Sequence, residues 1–231
     1  MLHDGDRADK MAHYNIILNF HGIGEPTRPL EYGEDKYWIS KGLFTDILDY
    51  VAGKADVQVT FDDGNVSDYE FALPALKQRG LAACVFISVD RIGEASFLSR
   101  EQITILRAEG MRIGSHGAGH QCWPKCRGPE LDKELVTARA QLEDIVGAEV
   151  TDAACPFGAY NRRVLGRLRA LGYRAVYTSD GGAAGADDWI RPRNTVLSSY
   201  GLDGIRRIVE SRPHCVPSWC HAVKLFAKRW R

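Results

Sequence analysis

Short apolar runs, rich in Val, Ile and Phe, alternate along the chain with stretches whose apolar positions recur every three or four residues. The runs at 15–20, 56–61, 82–88, 111–115, 151–155 and 173–178 predict strands. The stretches near 40–52, 67–79, 99–109, 129–146, 161–171 and 202–211 predict helices. Ser99 offers the third of these an N-cap with an acid close behind it. Gly80, Gly110 and Gly172 each close a helix and precede a strand. Repeated strand–helix units predict a parallel sheet or a barrel. Residues 21–38, with Gly22, Gly24, Pro26, Pro29 and Gly33, predict a loop after the first strand, positioned to cover a cleft.

Composition narrows the class. A chain of 231 residues suits one domain with a sizeable core. The formal net charge is zero, so no global field draws it to nucleic acid. No segment carries the 18 or so consecutive apolar residues that a membrane span needs. The first residues, Met1 to Arg7, are polar and lack the apolar stretch of a secretory signal, so the expected location is cytoplasmic. Six cysteines spread over this length suit a reducing compartment better than a disulfide scaffold.

The chemistry concentrates at strand ends. Val57 to Phe61 runs into adjacent carboxylates, Asp62 and Asp63, and then Gly64. Side chains of neighbouring strand residues point to opposite faces, but a turn at the terminus lets both reach one cleft. Two carboxylates so close are costly unless a cation or a shared proton relieves them. A second strand, Met111 to Ile113, leads into Gly114-Ser115-His116-Gly117-Ala118-Gly119-His120. Asp63, His116 and His120 together offer one oxygen and two nitrogens to a divalent ion, leaving a position open for water. Zinc suits that donor set best, with cobalt, nickel and manganese compatible. Cys122 and Cys126 raise the alternative of a closed structural zinc site with His116 and His120, which leaves Asp62 and Asp63 unexplained.

At this point the chain resembles the polysaccharide deacetylases, carbohydrate esterase family 4, or NodB-homology domain. Thr60-Phe61-Asp62-Asp63-Gly64 is similar to the first motif of that family. His116-Gly117-Ala118-Gly119-His120 is similar to its second, with Gly117 at the place of a hydroxyl residue. Cys155-Pro156-Phe157-Gly158 resembles its third. The resemblance covers roughly residues 14–200. It implies a distorted (β/α) barrel with fewer than eight full units, in one catalytic domain over 14–200. Residues 1–13 are then an N-terminal extension and 201–231 a helical tail. It also implies Asp62 as general base, Asp63, His116 and His120 as metal ligands, and a hydrolase that removes N-acetyl groups from amino-sugar saccharides. By the same analogy a backbone N–H near Phe157 serves the oxyanion, and Trp189 lines the acetyl pocket.

Two departures stand out. The arginine that precedes the third-motif proline by two residues in the family, and orients the base, is Ala154 here. Arg191-Pro192-Arg193 resembles a later segment of branches lacking that arginine, which makes Arg193 the replacement. The Leu-x-His segment that supplies the general acid has no match after Arg193, and His214 and His221 lack a preceding strand. Ile16 to His21 instead resembles the N-terminal segment of the permuted branch that includes poly-N-acetylglucosamine deacetylases, so His21 is the implied acid. A hydrolase acting on a small amide, or an inactive metal- or sugar-binding module of the same fold, remain as other readings. In the tail, Trp219, Val223, Phe226 and Trp230 share a helical face beside Lys224, Lys228, Arg229 and Arg231. That pattern predicts peripheral contact with an anionic inner-membrane surface over 218–231, fitting work on a lipid-linked saccharide precursor in exopolysaccharide biosynthesis.

Overall fold

The computed structural model describes residues 14–211. The extension at 1–13 and the amphipathic segment at 218–231 lie outside the described residues. The strands are β1 (Tyr14–Phe20), β2 (Gly22–Ile23), β3 (Trp38–Ile39), β4 (Val57–Phe61), β5 (Ala83–Ile87) and β6 (Arg112–Ser115), then β7 (Asp152–Ala154), β8 (Ala175–Thr178), β9 (Ala183–Gly185), β10 (Ile190–Pro192) and β11 (Asn194–Thr195). The helices are α1 (Lys41–Val51), α2 (Leu73–Gln78), α3 (Arg100–Ala108), α4 (Gly128–Asp132), α5 (Ala138–Val146), α6 (Arg162–Ala170) and α7 (Gly201–Glu210).

Eight strands lie side by side in the order β10, β8, β7, β6, β5, β4, β1, β11, with β9 also on β1. Every pairing along that path is parallel, and only β9 runs against β1. Both edges come from one segment. Ile190 to Pro192 pairs with β8, Asn194 and Thr195 pair with β1, and Arg193 sits between them. This segment nearly closes the sheet into the expected distorted barrel.

Strand alternation divides the core. Ile16, Leu18 and Phe20 of β1 face outward and join Val59, Phe61, Val85 and Ile113 under the helices. The intervening Ile17 meets Cys84, Phe86, Ala154 and Tyr177 inside the barrel. Burial on both faces explains why the strands read as nearly continuous apolar runs. Among the inward-facing residues of β1, Asn19 is polar and fully buried.

Two predicted helices contain a wider turn. The stretches at 67–79 and 129–146 hold π-helical turns at Asp68–Ala72 and Lys133–Thr137. Pro74 falls in the first turn of α2, where its missing N–H costs little. The predicted loop at 21–38 is not wholly irregular, since β2 and β3 pair within it. Two-residue strands carry no periodicity that a sequence pattern could reveal. Ser99 caps α3 through a full capping box with Gln102. Among the described residues, no helix is long and apolar enough to cross a membrane.

Candidate active site at the strand ends

The residues singled out from the sequence gather at the C-terminal ends of the strands, where barrels of parallel strands carry their chemistry. Asp62 continues β4, donating its backbone N–H to Phe20 (3.0 Å). Asp63 then turns with φ +76° and Gly64 with φ +77°. That left-handed turn brings the second carboxylate into the cleft that the first one lines. The non-glycine residues with positive φ are Asp63, Ser96, His120 and Phe157, among the described residues. Three of them line the cleft, so backbone strain concentrates where side chains must be aimed.

Arg193, buried to 0% exposure, reaches Asp62 with both arms of its guanidinium, Nη1 to Oδ1 at 2.6 Å and Nη2 to Oδ2 at 2.7 Å. Asn19 Nδ2 donates to the same Oδ2 at 2.9 Å. Asn19 Oδ1 accepts from Thr60 Oγ1 (2.9 Å) and from Arg193 Nη1 (2.8 Å). Burial pushes the Asp62 carboxyl up, but the Arg193 charge leads the attractions that outweigh it and hold it below the usual carboxylate range. Ala154, which has no group that could orient Asp62, is buried in the barrel wall. Asn19 and Thr60 were missed from the sequence. The available signal was an amide, Asn19, within the apolar run from Ile16 to Phe20.

Asp63 Oδ1 lies 3.6 Å from His116 Nε2 and 3.3 Å from His120 Nε2. One donor atom from each of the three residues falls within 4.8 Å of the others. Ala154 carbonyl oxygen sits 2.9 Å from His116 Nδ1, so that nitrogen carries the proton and Nε2 keeps its lone pair. Burial pulls His116 down to about 4, leaving a neutral imidazole at neutral pH. Burial opposes ionisation of Asp63, yet the histidines around it, His120 foremost, bring its carboxyl below the ordinary value. Oδ1 of Asp63 is buried and has no hydrogen-bond partner among the described residues. An ionised oxygen without a hydrogen-bond partner among the described residues, facing two imidazole nitrogens, fits a divalent cation.

The surrounding cleft has a volume of about 370 Å³ and is lined by His21, Tyr37, Arg91, Phe157 and residues of the 31–36 segment together with the carboxylates and imidazoles. The segment predicted to cover the cleft therefore forms one of its walls. His21 stacks on Tyr37 with ring centroids 4.8 Å apart, and its Nδ1 is buried without a hydrogen-bond partner among the described residues. His120 and Phe157 meet at 4.5 Å on the other side. Arg91 bridges the rim, 2.9 Å from Glu31 and 3.9 Å from Asp63.

One expectation needs correction, and one alternative falls away. Trp189 does not line the cleft. It packs in the cluster with Tyr173 and Leu168, donates Nε1–H to the Tyr173 carbonyl (2.7 Å), and carries Arg169 on its face. An indole N–H satisfied by backbone anchors the ring in the core. Cys122 and Cys126 form no site with the histidines. Cys126 Sγ donates to the Cys122 carbonyl at 3.6 Å, and neither Cys122 nor Cys126 is in a disulfide.

Behind the site lies Asp68, on the first π turn, buried to 1% exposure. Neither of its carboxylate oxygens has a hydrogen-bond partner among the described residues. Burial first, then the charges of Asp63 and Asp62, push its pKa well up. A raised carboxyl contributes stability below its unfolded value, about 3.9, and loses it as pH rises towards the folded value. At neutral pH this group is therefore a cost. Asp68→Asn is expected to raise the melting temperature of the metal-free protein at pH 7 by a few degrees, and to give no gain near pH 3. Melts at both pH values check this; an equal gain at each would assign the effect to packing instead of charge.

Comparison with known proteins gives the same direction. The polysaccharide deacetylase family model matches residues 50–176, more than half of the chain. A chitooligosaccharide deacetylase of Bradyrhizobium sp. (strain ANU 289) is 28% identical over 158 residues, covering 68% of each protein. YxkH of Bacillus subtilis (strain 168) is 28% identical over 148 residues, 64% of this chain but only about half of YxkH, 53%. The fold matches that of the Streptococcus pyogenes deacetylase PplD, solved in complex with acetate. The TM-score is 0.76 at 21% identity, over 85% of this chain and 98% of PplD.

Proposed function

Given that the chain belongs to the polysaccharide deacetylase family, we propose that it hydrolyses the N-acetyl group of an amino-sugar oligo- or polysaccharide, or of its lipid-linked precursor, with one divalent cation. Asp63, His116 and His120 would hold that cation. The observation that carries the reading is the buried, partnerless Asp63 Oδ1 facing two imidazole nitrogens beside an arginine-held carboxylate. When bound, the cation would polarise the acetamide carbonyl and lower the pKa of a water.

The protein's own groups do the rest. Asp62 takes the water's proton. A carboxylate has about four acceptor directions, and Arg193 and Asn19 use three of them. One direction remains to receive that proton. Arg193 keeps Asp62 ionised and fixes its plane. His21, lining the same cleft from the end of β1, gives a proton to the departing amine. A backbone N–H beside Phe157, whose φ of +58° turns the chain at the cleft wall, assists the oxyanion.

A saccharide suits the cleft better than a small amide. The central cavity continues into a second depression of about 390 Å³, and both are lined by Glu31, Arg91, His120 and Phe157. A single acetamide would leave most of that length empty. Zinc is the preferred ion on donor chemistry.

The test is acetate release from N-acetylated chito-oligosaccharides by metal-free protein before and after adding zinc or cobalt, with metal content of wild type and His116→Ala measured alongside. The expected result is metal-dependent release by wild type, with no stoichiometric metal and no release in the variant. Full metal content in His116→Ala would remove the proposed ligand set.

A further inference from the structure

We infer that Glu134 is a positioning residue for the cation site, holding the loop from His116 to His120 in the shape that aims His120 at Asp63. The inference rests on the proposed cation site and adds a residue outside it. Glu134 lies on the second π turn and is buried to 2% exposure. Its Oε2 accepts from the backbone N–H of Ala118 (3.0 Å) and from Trp123 Nε1 (3.2 Å). Its Oε1 accepts from the backbone N–H of Gly119 (2.9 Å). Among the described residues no cation lies within ion-pair distance of it, so N–H dipoles balance its charge.

The same loop is pinned from its other side. The carbonyls of Gly117 and Ala118 accept from the backbone N–H groups of Val89 (3.0 Å) and Asp90 (3.1 Å). With donors tied to Glu134 and acceptors tied to the 89–90 turn, the loop has little freedom left. That restraint is needed because His120 adopts φ +52°, a conformation a bulky side chain takes only where its surroundings enforce it.

Gly117 completes the argument. This position is the departure in the second motif, where a hydroxyl residue gives way to glycine. A Cβ there would stand 2.2 Å from Glu134 Oε2 and 2.9 Å from Trp123 Nε1, on a backbone with φ +81°. The Glu134 carboxylate thus occupies the space that a side chain at 117 would need. An amide could not replace it without turning an NH₂ toward one of these donors.

The test titrates metal-free wild type, Glu134→Gln, Glu134→Ala and His116→Ala with cobalt(II), following the visible absorption bands that report ligand geometry. Thermal melts are recorded without metal. Loss of a group that orients a ligand typically lowers metal affinity by about 10–100-fold. We expect a loss of about tenfold in Glu134→Gln and about a hundredfold in Glu134→Ala, with altered bands in both. A folded Glu134 variant that binds cobalt(II) with wild-type affinity and bands overturns the inference, however far its melting temperature falls. If Glu134→Ala does not fold, Glu134→Gln decides alone. Wild type that binds no cobalt(II), like His116→Ala, would overturn the cation site itself and this role with it.

Discussion

Asp62→Asn is expected to lower the turnover of an N-acetylated oligosaccharide by about 10²–10⁴-fold, the usual cost of losing a general base. Asparagine keeps the size of the side chain and accepts a hydrogen bond, but it cannot take a proton from water. The metal should remain, because the proposed ligands are Asp63, His116 and His120. The structure adds a consequence for stability. Arg193 is wholly buried against Asp62, and an asparagine would leave its charge unbalanced. The variant should therefore melt well below wild type even with its metal in place. Steady-state turnover, metal content and a melt on the same preparation check all three points. Wild-type turnover would end the role of Asp62 as base, whereas loss of metal would make Asp62 a ligand.

The second large effect is expected from Arg193→Ala. Breaking a buried, hydrogen-bonded ion pair typically costs about 3–5 kcal/mol, because the remaining charge stays in a dry environment. For a domain of this size that corresponds to a fall in melting temperature on the order of 10 °C. The fall should shrink in acid. The pair holds the Asp62 carboxyl below its ordinary value, so its contribution is present above the unfolded carboxylate pKa and fades as pH drops through the folded one. Turnover should fall with stability, and Arg193→Lys should not restore it, since an ammonium cannot span two carboxylate oxygens. Denaturant unfolding at pH 7 and pH 3, with turnover at pH 7, would decide. A variant with wild-type stability and turnover would return the base-orienting role to another group.

The parts of the site legible in the sequence were those written contiguously at strand ends. Asp62 and Asp63 follow β4 and His116 follows β6, so strand prediction and residue chemistry singled them out, whereas His21, after β1, was singled out through resemblance. Arg193 was within reach only through resemblance, because nothing local distinguishes it from its neighbour Arg191. Its position between two strands that pair with opposite edges of the sheet is a property of the closed barrel. Asn19, Thr60 and Glu134 act through hydrogen bonds across 41 to 43 and 15 to 16 residues, which no motif spacing encodes. Trp189 misled for a related reason. It lies just before β10, outside the strand alternation, and its indole N–H found a backbone partner at the edge of the core. The fold was more legible than the site, since apolar periodicity repeats over many residues, while one side chain's direction depends on a single bond.

The segment that closes the barrel also makes the surroundings of Asp62 depend on contacts between distant parts of the chain. Arg193 and Asn19 are 174 residues apart and meet only when Asn194 and Thr195 dock beside β1. Contacts of such separation are among the slowest a chain makes, since the entropy of closing a long loop is lost before the contact rewards it. Until that seam zips, Asp62 has no guanidinium beside it, and the barrel interior that should be dry stays open to water. A folding chain can thus carry most of its helices and strands and still lack a competent base. The pocket around Asp62 is thus complete only when the barrel is closed, and the ion pair within it also ties the segment that closes the barrel to the end of β4.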